Sequence, residues 1–110
     1  MAKLERIFSG DFDTVLSRLE SAVLEGSVSA SLEDRADYTI GSVRVAVRMF
    51  ERYSMAGSNR VAMCVTLTGD GDIIHLTAIT AGGSQALFFK INTFGEETFL
   101  DTIANLVHSL

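Results

Sequence analysis

The sequence has no proline, no tryptophan, a single cysteine and only two histidines among 110 residues. One cysteine forms no internal disulfide and supplies no thiolate zinc cluster. No stretch approaches the ~20 apolar residues of a membrane span. The first eight residues alternate charged and apolar side chains where a signal peptide carries a continuous apolar core, so a cytoplasmic, reducing setting is expected. Positive charge is also scarce. Nine Lys and Arg stand against 14 Asp and Glu, and the net charge of −5 works against binding a polyanion. The missing proline and tryptophan point to no function.

What is present is enough apolar material for a core, 47% of the chain. Residues 1–110 read as one domain, because ordinary domains run to about 100–150 residues, and no linker, repeat or low-complexity run divides them. Residues 11 to 25 carry Phe12, Val15, Leu16, Leu19, Ala22 and Val23 at helical spacing. Asp11 and Asp13 suit the positive end of that helix, and Gly26 stops it. Residues 96 to 110 repeat the pattern with Phe99, Leu100, Ile103, Ala104, Val107 and Leu110, behind Glu96 and Glu97.

Between the two helices the period changes to two. Ala36, Tyr38 and Ile40 share one parity, after a charged interruption at Glu33, Asp34 and Arg35. Val43, Val45, Val47 and Met49 form the next row; Val61, Met63, Val65 and Leu67 follow, then Ile74, Leu76 and Ala78, and last Leu87, Phe89 and Ile91. Arg44, Arg48 and Arg52 are also four apart and would line a helix, but alternating valines favour a strand.

The turns suggest a register. Gly41-Ser42 as a two-residue turn pairs Ile40 with Val43, and Asp70-Gly71 pairs Leu67 with Ile74 and Val65 with Leu76. Gly82-Gly83 pairs Ala78 with Leu87 and Ile74 with Ile91. A two-residue loop near Gly57 would set Arg48 opposite Leu67, whereas an odd-length loop with a bulge sets Val47 there and brings every apolar row to one face. The bulged connection is therefore expected. The core should contain Leu19, Val47, Val65, Leu76, Phe89 and Ile103.

The expected fold is α+β: a five-stranded antiparallel meander with two helices packed on its apolar face, and a sixth strand if residues 2 to 8 join. This order of elements resembles the helix-grip and TATA-binding-protein-like folds, and also small uncharacterised bacterial domains. The resemblance rests on order and register, and folds of this kind host unrelated functions.

The chemistry is sparse. No phosphate loop, dinucleotide fingerprint or nucleophile elbow is present. Gly69-Asp70-Gly71-Asp72 lacks the alternating ligands of a calcium loop and reads as a hairpin turn. His108 suits the carbonyl end of the last helix, and Gly82-Gly83-Ser84 joins strands instead of opening a helix. Cys64 and His75 fall as diagonal neighbours, but nothing orients the histidine and no oxyanion donor is evident. No enzyme, no metal and no cofactor is expected.

One surface stands out in this register. The sheet face away from the helices carries Arg44, Arg48, Phe50, Arg52, Arg60, His75, Phe88 and Lys90, and holds five of the nine Lys and Arg residues. Arginine beside aromatics is interface composition, so a homodimer or an acidic protein partner is the first functional reading, set against a merely solvated face. Nucleic acid is the runner-up, opposed by the net charge and by the absence of a tandem repeat. A small apolar or anionic ligand between helices and sheet comes third. Glu51 does not fit: it shares parity with Val47 and Met49, and a carboxylate buried there without a partner would cost about 3–5 kcal/mol.

Overall fold

A computed structural model describes residues 2–26, 29–54 and 59–82. Asp11 begins the helix α1 (Phe12–Glu25) by accepting hydrogen bonds from the Thr14 amide at 3.0 Å and the Thr14 hydroxyl at 2.9 Å. Asp13 adds negative charge to the first turn, and the Gly26 amide closes the helix onto the Ala22 carbonyl. Phe12, Val15, Leu19 and Val23 form its buried stripe. Gly69 lets this helix approach the sheet, since a β-carbon there would lie 2.6 Å from the Phe12 ring.

The strands β1 (Ala2–Ser9), β2 (Ser31–Ile40), β3 (Val43–Ser54), β4 (Asn59–Asp70) and β5 (Ile73–Gly82) make one antiparallel sheet. Their order is β1-β5-β4-β3-β2, so α1 carries the chain from one edge of the sheet to the other. The α+β class and the five-stranded antiparallel sheet agree with the sequence reading, but the set of strands differs. The N-terminal segment is a full strand, with Leu4 opposite Ala78 and Phe8 opposite Ile74. Both edges of β5 are thereby taken, by β1 and β4, in place of the partners expected from residues 87–91. The expected strand at 87–91 and the helix at 96–110 lie outside the described residues, and the described part contains one helix.

Two hairpins turn on glycines with positive φ, Gly41 at 60° and Gly71 at 63°. Ile40 pairs with Val43 as expected. In the second hairpin Asp70 pairs with Ile73, so the turn is Gly71-Asp72 and not Asp70-Gly71. Both turns hold φ above zero at their first central residue, the position that Gly41 and Gly71 occupy. Leu67 consequently faces Leu76 and Val65 faces Ala78, a shift of two that leaves the faces unchanged.

The connection between β3 and β4 reverses an expectation. Ser54 pairs with Asn59 across an even number of residues, and the register runs unbroken from there: Phe50 faces Met63, Arg48 faces Val65 and Ala46 faces Leu67. The irregularity lies instead in β2, between Leu32 and Asp34. Because side chains alternate, a change of one in the pairing exchanges the two faces of a strand. The apolar row of β2 and β3 therefore lies on the opposite side of the sheet from the apolar row of β4 and β5. Glu51 moves with it, away from the helix side.

The core on the helix side joins Phe12, Val15, Leu19 and Val23 to Ala46, Phe50, Val61, Met63, Val65, Leu67, Ile74, Leu76, Ala78 and Leu4. Leu19, Val65 and Leu76 are fully buried, as expected from the sequence. Val47 is half-buried on the other face, and Phe89 and Ile103 lie outside the described residues. Phe50 is completely enclosed. Phe50→Ala should therefore cost about 3–5 kcal/mol, the range for emptying a buried aromatic site. Urea denaturation monitored by circular dichroism tests this; an unchanged midpoint would contradict the pairing of β3 with β4.

Candidate functional site

The three arginines of β3 point toward the helix side of the sheet. Arg44 and Arg48 are four strand residues apart, roughly 13 Å, while Asp13 and Glu20 are seven helix residues apart, roughly 10.5 Å. The similar spans let α1 run beside β3 and pair twice. Arg44 grips Asp13 with both terminal nitrogens, at 2.9 and 3.1 Å, and lies 4.3 Å from the centre of the Phe12 ring. The two hydrogen bonds from Arg44 hold the Asp13 carboxyl below its ordinary pKa.

Arg48 is the more deeply placed, with 4% of its side chain exposed. Its Nε donates to Glu20 at 2.6 Å, one terminal nitrogen donates to Asp37 at 3.0 Å, and the other donates to the Val47 carbonyl at 3.0 Å. Burial pulls the guanidinium pKa down, but the hydrogen bonds and charges of Glu20 and Asp37 outweigh it, leaving the group above its ordinary value. Arg52, farther along the same strand face, is pulled below its ordinary value by burial. The donors of Arg44 and Arg48 are thus spent inside the fold, fastening β2, β3 and α1.

The eight residues expected on one basic face consequently do not share a face. Arg44, Arg48, Phe50 and Arg52 lie on the helix side, because the β3–β4 pairing is unbulged. Arg60 and His75 lie on the opposite side, and Phe88 and Lys90 lie outside the described residues. Arg60 bonds Glu51 at 2.7 Å and the Tyr53 hydroxyl at 3.3 Å, which accounts for Glu51. His75 bonds Glu5 at 2.8 Å through Nε2. Cys64 is opposite Ile79 and His75 is opposite Thr68, so four residues, roughly 13 Å, separate them along the sheet. They form no nucleophile–base pair.

The face away from α1 carries the apolar residues that the sequence reading assigned to the core. Ala36, Tyr38 and Ile40 of β2 adjoin Met49, Val47, Val45 and Val43 of β3. Cys64, Thr66 and Thr68 of β4 continue the surface to His75, Thr77 and Ile79 of β5. Seven large hydrophobic residues are exposed among the described residues; six of them, Ile7, Tyr38, Ile40, Tyr53, Ile73 and Ile79, stand on this one face. Ile40 and Ile7 are 68% and 69% exposed. Near the bulge, Ala36, Val47 and Met49 line a shallow apolar groove rimmed by Asp34 and Arg35. The signal for this face was in the sequence, as the alternation of Tyr38, Ile40, Val43 and Val45, but the side on which it lay was not.

The model of a family described as a family of unknown function, DUF6054, matches residues 1–110, and the chain belongs to that family. No curated protein matches it. Among solved structures, the crystal structure of TTHA0849 from Thermus thermophilus is similar at 13% identity, covering 98% of this chain and 97% of that one, with a TM-score of 0.31.

The clamp around Arg48 makes an asymmetric prediction. Removing a carboxylate leaves a buried guanidinium short of a partner, whereas replacing the arginine by a long apolar side chain leaves Glu20 and Asp37 able to hydrate. Glu20→Ala should therefore destabilise the fold by about 1–3 kcal/mol, and Arg48→Met by less. Parallel urea titrations check the order, and the reverse order would show that Arg48 matters through its charge alone.

Proposed function

We propose that this member of the DUF6054 family is a non-enzymatic association module, and that it binds protein through the apolar sheet face opposite α1. One observation carries the reading: six of the seven exposed large hydrophobics among the described residues share that face. A solvated sheet surface has no use for such a concentration, and contiguous exposed apolar patches mark interaction sites. The uncharged centre supports it further. Val45, Val47, Met49, Thr66 and Thr68 occupy the middle, while the ion pairs Lys3–Glu5 and Arg60–Glu51 stand toward the perimeter, which is interface anatomy.

The acidic-partner and nucleic-acid readings lose their support, because Arg44, Arg48 and Arg52 are turned toward α1 and Arg60 is paired with Glu51. A non-enzymatic role agrees with the separation of Cys64 from His75 and with the internal use of Arg44 and Arg48. The helix-grip likeness belongs to the same proposal; the crossover of α1 between the sheet edges and the antiparallel meander support it. A cytoplasmic setting goes with it, on the strength of a lone cysteine.

Purified protein with such a face either associates or binds an apolar reporter dye such as anilinonaphthalene sulfonate. Ile79→Glu should remove whichever behaviour the wild type shows. Lys3 stands opposite position 79, so the new carboxylate meets a cation and the fold is retained. A wild type that is both monomeric and silent to the dye would refute the reading.

A further inference from the structure

We infer that the partner on this face is a second copy of the chain, packed sheet against sheet; the inference rests on the association reading above. The available area is the first argument. Five strands about 4.8 Å apart, each contributing some eight residues at about 3.3 Å, present a footprint of roughly 24 by 26 Å. Two such faces together remove about 1,200 Å² from solvent, the lower bound for a stable protein interface.

Charge is the second. The chain carries −5 overall, so copies repel wherever unbalanced acids meet. On this face the cations Lys3 and Arg60 are tied to Glu5 and Glu51 of the same chain, and His75 also meets Glu5. The three remaining acids, Glu33, Asp34 and Asp70, lie at the bulged edge strand and at the turn end, where water reaches them. A face recognising a strongly charged partner would carry unpaired charge of one sign at its centre. A face meeting its own copy needs an uncharged centre with its charges paired or set at the rim, and this one has both.

The third argument is relief. β4 runs through the middle with the small side chains Ala62, Cys64, Thr66 and Thr68. Larger ones flank it, Tyr38 and Met49 on one side and Ile73 and Ile79 on the other. A ridge beside a trough is self-complementary under a two-fold axis parallel to the strands, since the axis lays each copy's ridge in the other's trough. Extension edge to edge is disfavoured. The outer strand β2 is bulged between Leu32 and Asp34 and bears Glu33, Arg35 and Asp37, and the outer strand β1 bears Lys3, Glu5 and Arg6.

Light scattering on the full chain, over a range of concentrations at low and high salt, tests the inference. The expected mass is twice 11.9 kDa, and the dimer should tighten as salt screens the repulsion between like-charged copies. Ile79→Glu and Tyr38→Glu should each halve the mass while leaving the far-ultraviolet circular dichroism spectrum unchanged, with an unfolding midpoint that no longer depends on protein concentration. Cys64 lies in the trough, so its alkylation should be slow in the dimer and faster in both variants. A wild type that stays at 11.9 kDa overturns the self-partner; dye binding that is lost in Ile79→Glu would then leave the association reading standing, and its absence would remove both. A dimer that survives both substitutions, or one whose Cys64 reacts as fast as in the variants, places the contact elsewhere and overturns the inference as well.

Discussion

The pairing of β3 with β4 is the constraint on which the rest of the structure depends. Phe50 facing Met63 decides that Ala46 and Phe50 enter the core with α1, and that Val43, Val45, Val47 and Met49 do not. Since alternate residues point to opposite sides, this one pairing assigns every side chain of β3. β2 follows through its own pairing with β3, so Tyr38 and Ile40 come to the far surface. The sheet thereby acquires two apolar regions on opposite sides: one over β4 and β5, covered by the helix, and one centred on β2 and β3.

Arginine makes the first arrangement tolerable. The helix side of β3 carries a guanidinium at every other turn of the pleat, which a plain apolar core would not accept. Arg44 and Arg48 meet Asp13 and Glu20, acids on the flank of α1 at a matching spacing, and Asp37 comes from the neighbouring strand. The long stems of these arginines cover apolar surface while their heads remain paired. The same contacts orient α1 along β3 and bind the edge strand β2 to the body of the sheet. A patch of positive charge that resembles a recognition surface in one dimension is an internal fastening in three.

Turning those arginines to the helix side changes the character of the opposite face. What remains there is uncharged and apolar toward its middle, with its charges at the perimeter, and blunted at both outer strands, a combination that favours packing face to face over lengthening the sheet. The bulge in β2 serves this division, because it disturbs the outer edge while leaving the β2–β3 pairing intact from Asp34 to Ile40. On the proposed association reading, function rests on shape and apolar area and asks nothing of Cys64 or His75.

The helix α1, the strand character of β2 to β5 and the position of the Gly41-Ser42 turn could be read directly, because each depends on local chemistry: a capping aspartate, alternation of apolar residues, and a glycine able to adopt positive φ. So could the burial of Leu19, Val65 and Leu76. The face of β3 could not. Its two sets of alternate residues, Val43 to Met49 and Ala46 with Phe50, are both apolar enough to line a core, and arginine counts against burial until its partner is known. Glu51 was the local sign that the inward assignment was inverted, since the expected register buried it. Only the tertiary structure could bring Glu20 to Arg48 and Asp13 to Arg44, because those partners lie about 30 residues apart in sequence. Periodicity determined that β3 has two faces; the long-range ion pairs and the spacing of Ser54 from Asn59 decided which one meets the helix.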